Sequence, residues 1–243
     1  MSETEVEAAE VESATAASEE YTFEDLSVVM GTYNEEAAIA TVLSDIERVT
    51  DGRAEVVCVD GSDDRTPEIA EEHGARVIRQ EPQGYGVAVH AALRAASRDV
   101  IVTTDCDDTY PMDALPEFLE SINEGYDVVS GDRIYHGADA MPAFNRLGNV
   151  AFALGASVLL GERVHDTTTG MRAYRREVIE AIEWTENTGL SAELLMRPLA
   201  RGYRVREHPI DYAERAGETK LDPLTGGAEI AKSILKVGLE ERF

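Results

Sequence analysis

Three aspartates occupy four positions in the stretch Val102-Thr-Thr-Asp-Cys-Asp-Asp-Thr-Tyr110: Asp105, Asp107 and Asp108. Carboxylates this close repel one another, and one kept from water is costly unless a cation answers it. A hard divalent cation suits such a pair, since Mg2+ takes only one or two protein carboxylates and completes its shell with water and substrate phosphates. Asp105 and Asp107 are therefore candidate ligands for Mg2+ or Mn2+, with a diphosphate-bearing nucleotide as third party. Asp108 reads as a solvated neighbour. A second acidic turn, Asp60-Gly-Ser-Asp-Asp64, could serve the same cleft or be no more than a polar strand-to-helix turn with a helix cap.

The basic residues are informative because they are scarce. Against 48 Asp and Glu stand 22 Lys and Arg, and the only lysines are Lys220, Lys232 and Lys236. Arg133, Arg146, Arg172, Arg215 and Lys220 all fall in the second half, and arginine suits bidentate contact with phosphate. A phosphate monoester, with its second pKa at about 6, is already mostly dianionic at neutral pH. It needs cations to hold it in line rather than a strong base to activate it. Arg172 has an alternative employment, an internal ion pair with Asp166. The five histidines (73, 90, 136, 165 and 208) show no ligand-like grouping and read as structural or surface residues. Cys58 and Cys106 sit in apolar runs without metal-ligand spacing and read as buried, reduced thiols.

The elements that must position these groups alternate along the chain. Strand-like runs at Leu26 to Met30, Ala54 to Val59, Arg76 to Ile78 and Val100 to Thr104 are separated by helical patterns at Glu35 to Val49, Thr66 to His73 and Gly84 to Ala96. Ile39, Val42, Leu43 and Ile46 share one helical face. This rhythm predicts an α/β fold: a Rossmann-like, mostly parallel sheet with helices on both faces and ligands beyond the carboxyl ends of the strands. Asp60 and Asp105 each follow a strand directly, so both emerge at one rim, where the segment Met30 to Glu35 leaves the first strand. Beyond residue 125 the pattern predicts strands at Asp127 to Ser130, Met171 to Tyr174 and Tyr203 to Pro209. Helices are predicted at Pro142 to Leu160, Leu190 to Arg201 and Gly227 to Glu241.

Three segments follow: an acidic disordered tail (1–21), a main domain (22–225) whose nucleotide-binding half runs to about 125 and whose acceptor half follows it, and an amphipathic C-terminal helix (226–243). The formal charge of −26 excludes nucleic acid as a natural partner. Acid-rich, lysine-poor composition matches proteins of salt-loving organisms, in which molar salt shortens the Debye length to about 3 Å. No signal peptide is expected, because the N-terminus is acidic. The longest apolar stretch, Leu147 to Gly161, is shorter than the roughly 18 residues a spanning helix needs. It could instead lie buried or at an interface, as could the tail helix with Ile230, Ile234 and Leu235 near Lys232 and Lys236.

An ordered set of motifs carries a resemblance. Thr32-Tyr-Asn-Glu35, Asp60-Gly-Ser62 with Asp64, Gly84-Tyr-Gly86, Asp105-Cys-Asp107 with Thr109-Tyr-Pro111, Gly131-Asp-Arg133, Asp166 to Arg172 and Arg215 to Lys220 together resemble the family-2 glycosyltransferases. Within them the likeness is to the dolichyl-phosphate mannose and glucose synthases, which are halophilic-archaeal in the setting this composition suggests. The resemblance implies a GT-A-type fold and inverting, metal-dependent transfer of a hexose from UDP-glucose or GDP-mannose to dolichyl or polyprenyl phosphate, feeding glycan assembly such as protein N-glycosylation. It assigns Thr32, Tyr33, Asn34, Glu35 and Asp60 to the base and ribose of the nucleotide. Asp105 falls beside the ribose and sugar, Asp107 on Mg2+ or Mn2+, and Gly84 at a close backbone approach. Arg133, Arg146 and Arg215 fall on the acceptor phosphate, with Arg172 and Lys220 in the same substrate-binding set. Asp105, Asp107 and Arg133 are the catalytic candidates. The implied place is cytoplasmic, peripheral at the inner face of the membrane. Gly31 where many relatives have Pro, and Thr109-Tyr110 where Gln-His is frequent, leave the donor open. Transfer to a soluble hydroxyl acceptor and non-catalytic binding of sugar nucleotides are the alternatives; a Rossmann dehydrogenase is disfavoured because no Gly-x-Gly-x-x-Gly follows the first strand.

Overall fold

A computed structural model describes residues 20–136, 140–215 and 223–242. Its centre is one seven-stranded sheet in the order β3-β2-β1-β4-β6-β5-β7. The strands are β1 (Leu26–Thr32), β2 (Glu55–Asp60), β3 (Arg76–Arg79), β4 (Val100–Thr103), β5 (Val128–Asp132), β6 (Arg172–Arg175) and β7 (Val205–Pro209). All neighbours run parallel except β6, which is antiparallel to both β4 and β5. The predicted mostly parallel α/β fold is what forms.

Helices α1 (Ile39–Thr50), α2 (Thr66–Glu72), α3 (Tyr85–Ala95), α4 (Leu115–Asn123), α5 (Ala143–Leu160), α6 (Arg176–Ala181), α7 (Leu190–Ala200) and α8 (Pro223–Glu240) cover the sheet and its flank. Two cores lie on opposite faces because side chains alternate along each strand. Val28, Met30, Cys58, Val100 and Val102 pack with Ile39 and Ile46 of α1 and Phe118 and Ile122 of α4. Val29, Val57, Val59 and Ile101 pack with Val89 and Leu93 of α3 and Leu190 and Leu194 of α7.

The sequence reading did not anticipate α4 or α6. It also began α1 at Glu35, four residues early. Asn34 takes a left-handed φ of +54°, the Glu35 N–H donates to Thr66 Oγ1 at 2.8 Å, and the Glu35 carbonyl accepts the N–H of both Ala38 and Ile39. Residues 35–38 thus form a tertiary-held turn that directs Glu35 into the site.

A third cluster, of Ala156 on α5, Ala192 and Met196 on α7 and Ile234 and Val237 on α8, joins these three helices beside the sheet. Among the described residues α5 is the one helix long and apolar enough, by length and composition, to cross a membrane. Only Ala153 and Ala156 of it are buried, whereas Phe144, Leu147, Leu154 and Val158 are 62–69% exposed. Their spacing puts one apolar stripe into solvent along the whole helix.

Candidate active site

The site forms at one rim of the sheet for a topological reason. Thr32 at the end of β1 stands in register with Asp60 at the end of β2, and Thr103 at the end of β4 pairs with Arg172 at the start of β6. Because β6 runs against β4, the loop leading into β6 (166–171) arrives where the loop leaving β4 (104–111) departs. Acidic and basic motifs from distant parts of the chain therefore meet.

Asp105 is packed against Gly170, where an added Cβ would lie 2.5 Å from its Oδ2. Its Oδ1 accepts from the Tyr85 hydroxyl at 3.2 Å. Burial, then the charge of Asp107, push Asp105 up to about 6, against the Tyr85 hydrogen bond and the charges of Arg133 and Arg215. The Asp107 Oδ1 accepts from the N–H and hydroxyl of Thr109. Its Oδ2 accepts from Arg215 Nη1 at 2.7 Å, while Arg215 Nη2 donates to Glu35.

This donor set fits a hard divalent cation. The oxygens are carboxylates, and the guanidinium of Arg215 already stands in as the cation that balances Asp107 and Glu35. Among the described residues no group of three or more His, Cys, Asp or Glu could hold a metal by itself. Asp105 and Asp107 would therefore leave most of the shell to water and a diphosphate.

Where β1 and β2 end, Asp60 is buried and its carboxylate accepts from Thr32 Oγ1, Ser62 Oγ, the Ser62 N–H and Arg79 Nη1, at 2.7–3.0 Å. Asn34 joins the same knot: its N–H donates to Ser62 Oγ, and its Oδ1 accepts the Asp63 N–H. Asp60 thereby locks the 32–35 loop to the 60–64 turn, and Tyr33 projects from that platform, 45% exposed. Gly84, with φ +106°, and Gly86 leave room for a close approach from another segment of the chain. What approaches is the Glu186–Asn187 backbone and the Asn187 side chain, at 2.5–2.8 Å from a Cβ built on either glycine.

Just beyond the end of β5, Arg133 is buried and donates through Nε and Nη2 to Asp166 (2.7 and 2.9 Å), through Nη2 to Thr168, and through Nη1 to the Tyr110 hydroxyl. The rings of Tyr110 and Tyr212 flank it. Burial pulls its pKa down, but Asp166 outweighs this and the guanidinium stays firmly charged. Burial likewise raises Asp166 and Arg133 overrides it, leaving the carboxyl below its ordinary value. Asp166 is thus the partner of Arg133 and not of Arg172. Arg172, placed at the substrate by the sequence reading, is fully buried behind the rim, with Nε on Ser130 Oγ and Nη2 on the Thr167 carbonyl. Arg146 lies exposed near the start of α5, and Lys220 falls outside the described residues.

Tyr85, Tyr110, Asp166 and Tyr212 contact the site without having been placed in it from sequence, where Asp166 was read only as a possible ion-pair partner of Arg172. The first three lay inside quoted motifs, so a closer reading of those motifs had a signal to follow; Tyr212 had none.

Residues 27–183 match the model of glycosyl transferase family 2. The chain is a family 2 glycosyltransferase. A dolichyl-phosphate hexose transferase of Haloferax volcanii is 74% identical over 224 residues, covering 92% of this glycosyltransferase and 98% of the relative. A dolichol-phosphate mannosyltransferase of Pyrococcus furiosus is 33% identical, covering 81% of this chain and 59% of that one. Among solved structures, a glucosyl-3-phosphoglycerate synthase of Mycobacterium tuberculosis, crystallised with Mn2+, UDP-glucose and phosphoglyceric acid, superposes with a TM-score of 0.70. It is 26% identical, with 93% of this glycosyltransferase and 81% of that chain covered. The fold is thus of the GT-A type, as expected.

Proposed function

We propose that this glycosyltransferase moves a hexose from a nucleotide diphosphate to dolichyl or a related polyprenyl phosphate, with inversion at the anomeric carbon. The observation that carries the reading is the pairing of Asp105 and Asp107 with Arg215 at one rim, in a chain that also exposes the apolar stripe of α5. A sugar nucleotide needs the first and a lipid phosphate the second and third. The identity to the Haloferax volcanii enzyme, over nearly its whole length, supports the same substrate class.

In this reading Tyr33, Asn34 and Glu35, on the platform locked by Asp60 and Thr32, receive the base and ribose, and Gly84 borders the diphosphate. Asp105 and Asp107 would hold Mg2+ or Mn2+, which when bound would stabilise charge on the departing diphosphate. Arg215 releases Asp107 and turns to the acceptor phosphate together with Arg146, and Lys220 lies close in sequence to join them. Arg133 supplies a fixed, buried positive charge below them. A phosphate oxygen then bonds to the anomeric carbon from the face opposite the diphosphate, whose carbon–oxygen bond breaks. No strong base is required, because the acceptor is already ionised, so catalysis is positioning and electrostatics.

The α5 stripe, with Leu235 and Leu239 exposed on α8, would rest in the lipid interface. This makes the enzyme peripheral at the cytoplasmic face, consistent with a charge of −26 suited to molar salt. The test offers radiolabelled UDP-glucose and GDP-mannose with dolichyl phosphate, Mg2+ or Mn2+ and molar KCl. Label entering the organic phase, and lost with Asp107→Asn, supports the reading. Label confined to water-soluble products refutes it.

A further inference from the structure

The segment between α6 and α7 makes contacts in two opposite directions. On one side Asn187 grips the turn that opens α3: its Oδ1 accepts the Gly86 N–H at 2.8 Å and its Nδ2 donates to the Gln83 carbonyl at 3.1 Å. Both ends of one amide thus engage a turn more than a hundred residues away in sequence. Gly84 and Gly86 lack side chains where this segment enters, since a Cβ on Gly86 would lie 2.5 Å from Asn187 Cα. Between the two glycines stands Tyr85, whose hydroxyl reaches Asp105 at 3.2 Å. At 3.2 Å that bond is already longer than the roughly 3.0 Å limit usual for a hydroxyl donor, so a small shift of the turn would forfeit it.

On the other side Glu186 is tied to the C-terminal helix. Its carboxylate accepts from Lys236 Nζ at 2.6 Å and from the Ser233 hydroxyl, both on α8. The Thr185 and Glu186 N–H groups are held by the buried carboxylate of Glu193 on α7. The segment is therefore fixed to the helical flank that carries the exposed apolar stripe, and it hands that position to the turn beside Asp105.

We propose that Asn187 is a positioning residue for the transfer reaction: by clamping the Gln83–Gly86 turn it sets Tyr85, and through Tyr85 the carboxylate of Asp105. Glu186 makes that setting depend on how α8 is seated. The role given to Asp105 rests on the proposed function, but the clamp itself does not.

The experiment compares the full chain with Asn187→Ala, Asn187→Asp, Tyr85→Phe and the Asn187→Ala/Tyr85→Phe double variant. Amide hydrogen exchange of the Gln83–Gly86 turn is read first. Exchange at Gly86 is expected to quicken by about tenfold in Asn187→Ala, the effect of losing one or two net hydrogen bonds. With radiolabelled donor and dolichyl phosphate, kcat/KM for the donor falls by about tenfold while KM for the acceptor holds. Asn187→Asp, which keeps the acceptor for the Gly86 N–H, recovers part of the loss. The double variant is no worse than the poorer single one, because both act through one contact. Lys236→Met shifts the same parameters in the same direction by less. Unchanged exchange, additive losses in the double variant, or an equal rise of donor and acceptor KM would each overturn the proposal. If no lipid is labelled by the wild type, the transfer reading fails, and the exchange comparison still decides whether Asn187 clamps the turn.

Discussion

Replacing Arg215 with methionine removes the guanidinium while keeping an apolar stem of similar length. In the structure that guanidinium joins Asp107 at 2.7 Å and also Glu35, with the arginine side chain 28% exposed and the two carboxylates nearly covered. Hydrogen bonds to charged groups contribute about 1.5–3 kcal/mol each when shielded. Partial exposure and high salt screen them, so the pair together is discounted to about 2 kcal/mol. A divalent cation that takes Asp107 must first displace this arrangement. Arg215→Met should therefore tighten the binding of Mn2+ alone by about 30-fold, since 1.4 kcal/mol is a factor of ten. Titration calorimetry or the loss of free Mn2+ signal in electron paramagnetic resonance measures it, without substrate or turnover. Lipid transfer should meanwhile drop if Arg215 is, as proposed, a ligand of the acceptor phosphate. Mn2+ affinity that is unchanged or weaker in the variant would refute the view that Arg215 holds the place of the cation.

Other outcomes follow from the same geometry. Gly170→Ala should lower kcat/KM at least about 100-fold with a modest loss of thermal stability, because the new Cβ meets the Asp105 carboxylate and not backbone; equal activity would show that Asp105 tolerates displacement. Asp166→Asn should cost about 3–5 kcal/mol in denaturant unfolding, the penalty for stranding a buried charge. Since the folded pKa of Asp166 is depressed, its stabilisation is complete above about pH 4, the unfolded value, and fades as pH falls through the folded one. The variant's midpoint should consequently vary less with pH below 4 than the wild type's. Leu147→Asp with Leu154→Asp should leave the melting temperature within about 2 °C, both side chains being exposed. The same change should abolish co-sedimentation with lipid vesicles yet spare transfer to a short, water-soluble polyprenyl phosphate.

Much of this could be read from the chain because strand periodicity and turn chemistry are local signals. Val56 to Val59 and Val100 to Thr103 are strands whichever partners they find, and Asp60 directly after the first and Asp105 two positions beyond the second must reach the rim. The fold's one reversed strand was not local information: a four-residue strand such as Arg172–Arg175 has the same pattern in either direction. Helix α4 was visible in principle, since Leu115, Phe118, Leu119 and Ile122 have helical spacing. The partner of Asp166 was another matter. Arg172 is nearer in sequence, but β5 pairs with β6, which brings the loop before β6 back beside the residue after β5, where Arg133 meets Asp166. Asn187 carried no motif at all; its part comes wholly from two glycines a hundred residues earlier that leave it room.

The reversed strand has an evolutionary corollary. Since β6 delivers its preceding loop to the rim while β4 delivers its following one, the two sides of the cleft hang from neighbouring strands but grow from opposite ends of them. Insertions in 161–165 can reshape that flank without lengthening the 104–111 segment, whereas Gly170, packed against Asp105 and donating to the Tyr110 hydroxyl, ties the last residues before β6 to it. Such a scaffold can vary one flank of the cleft while keeping the other, and descendants would be expected to diverge on one flank at a time.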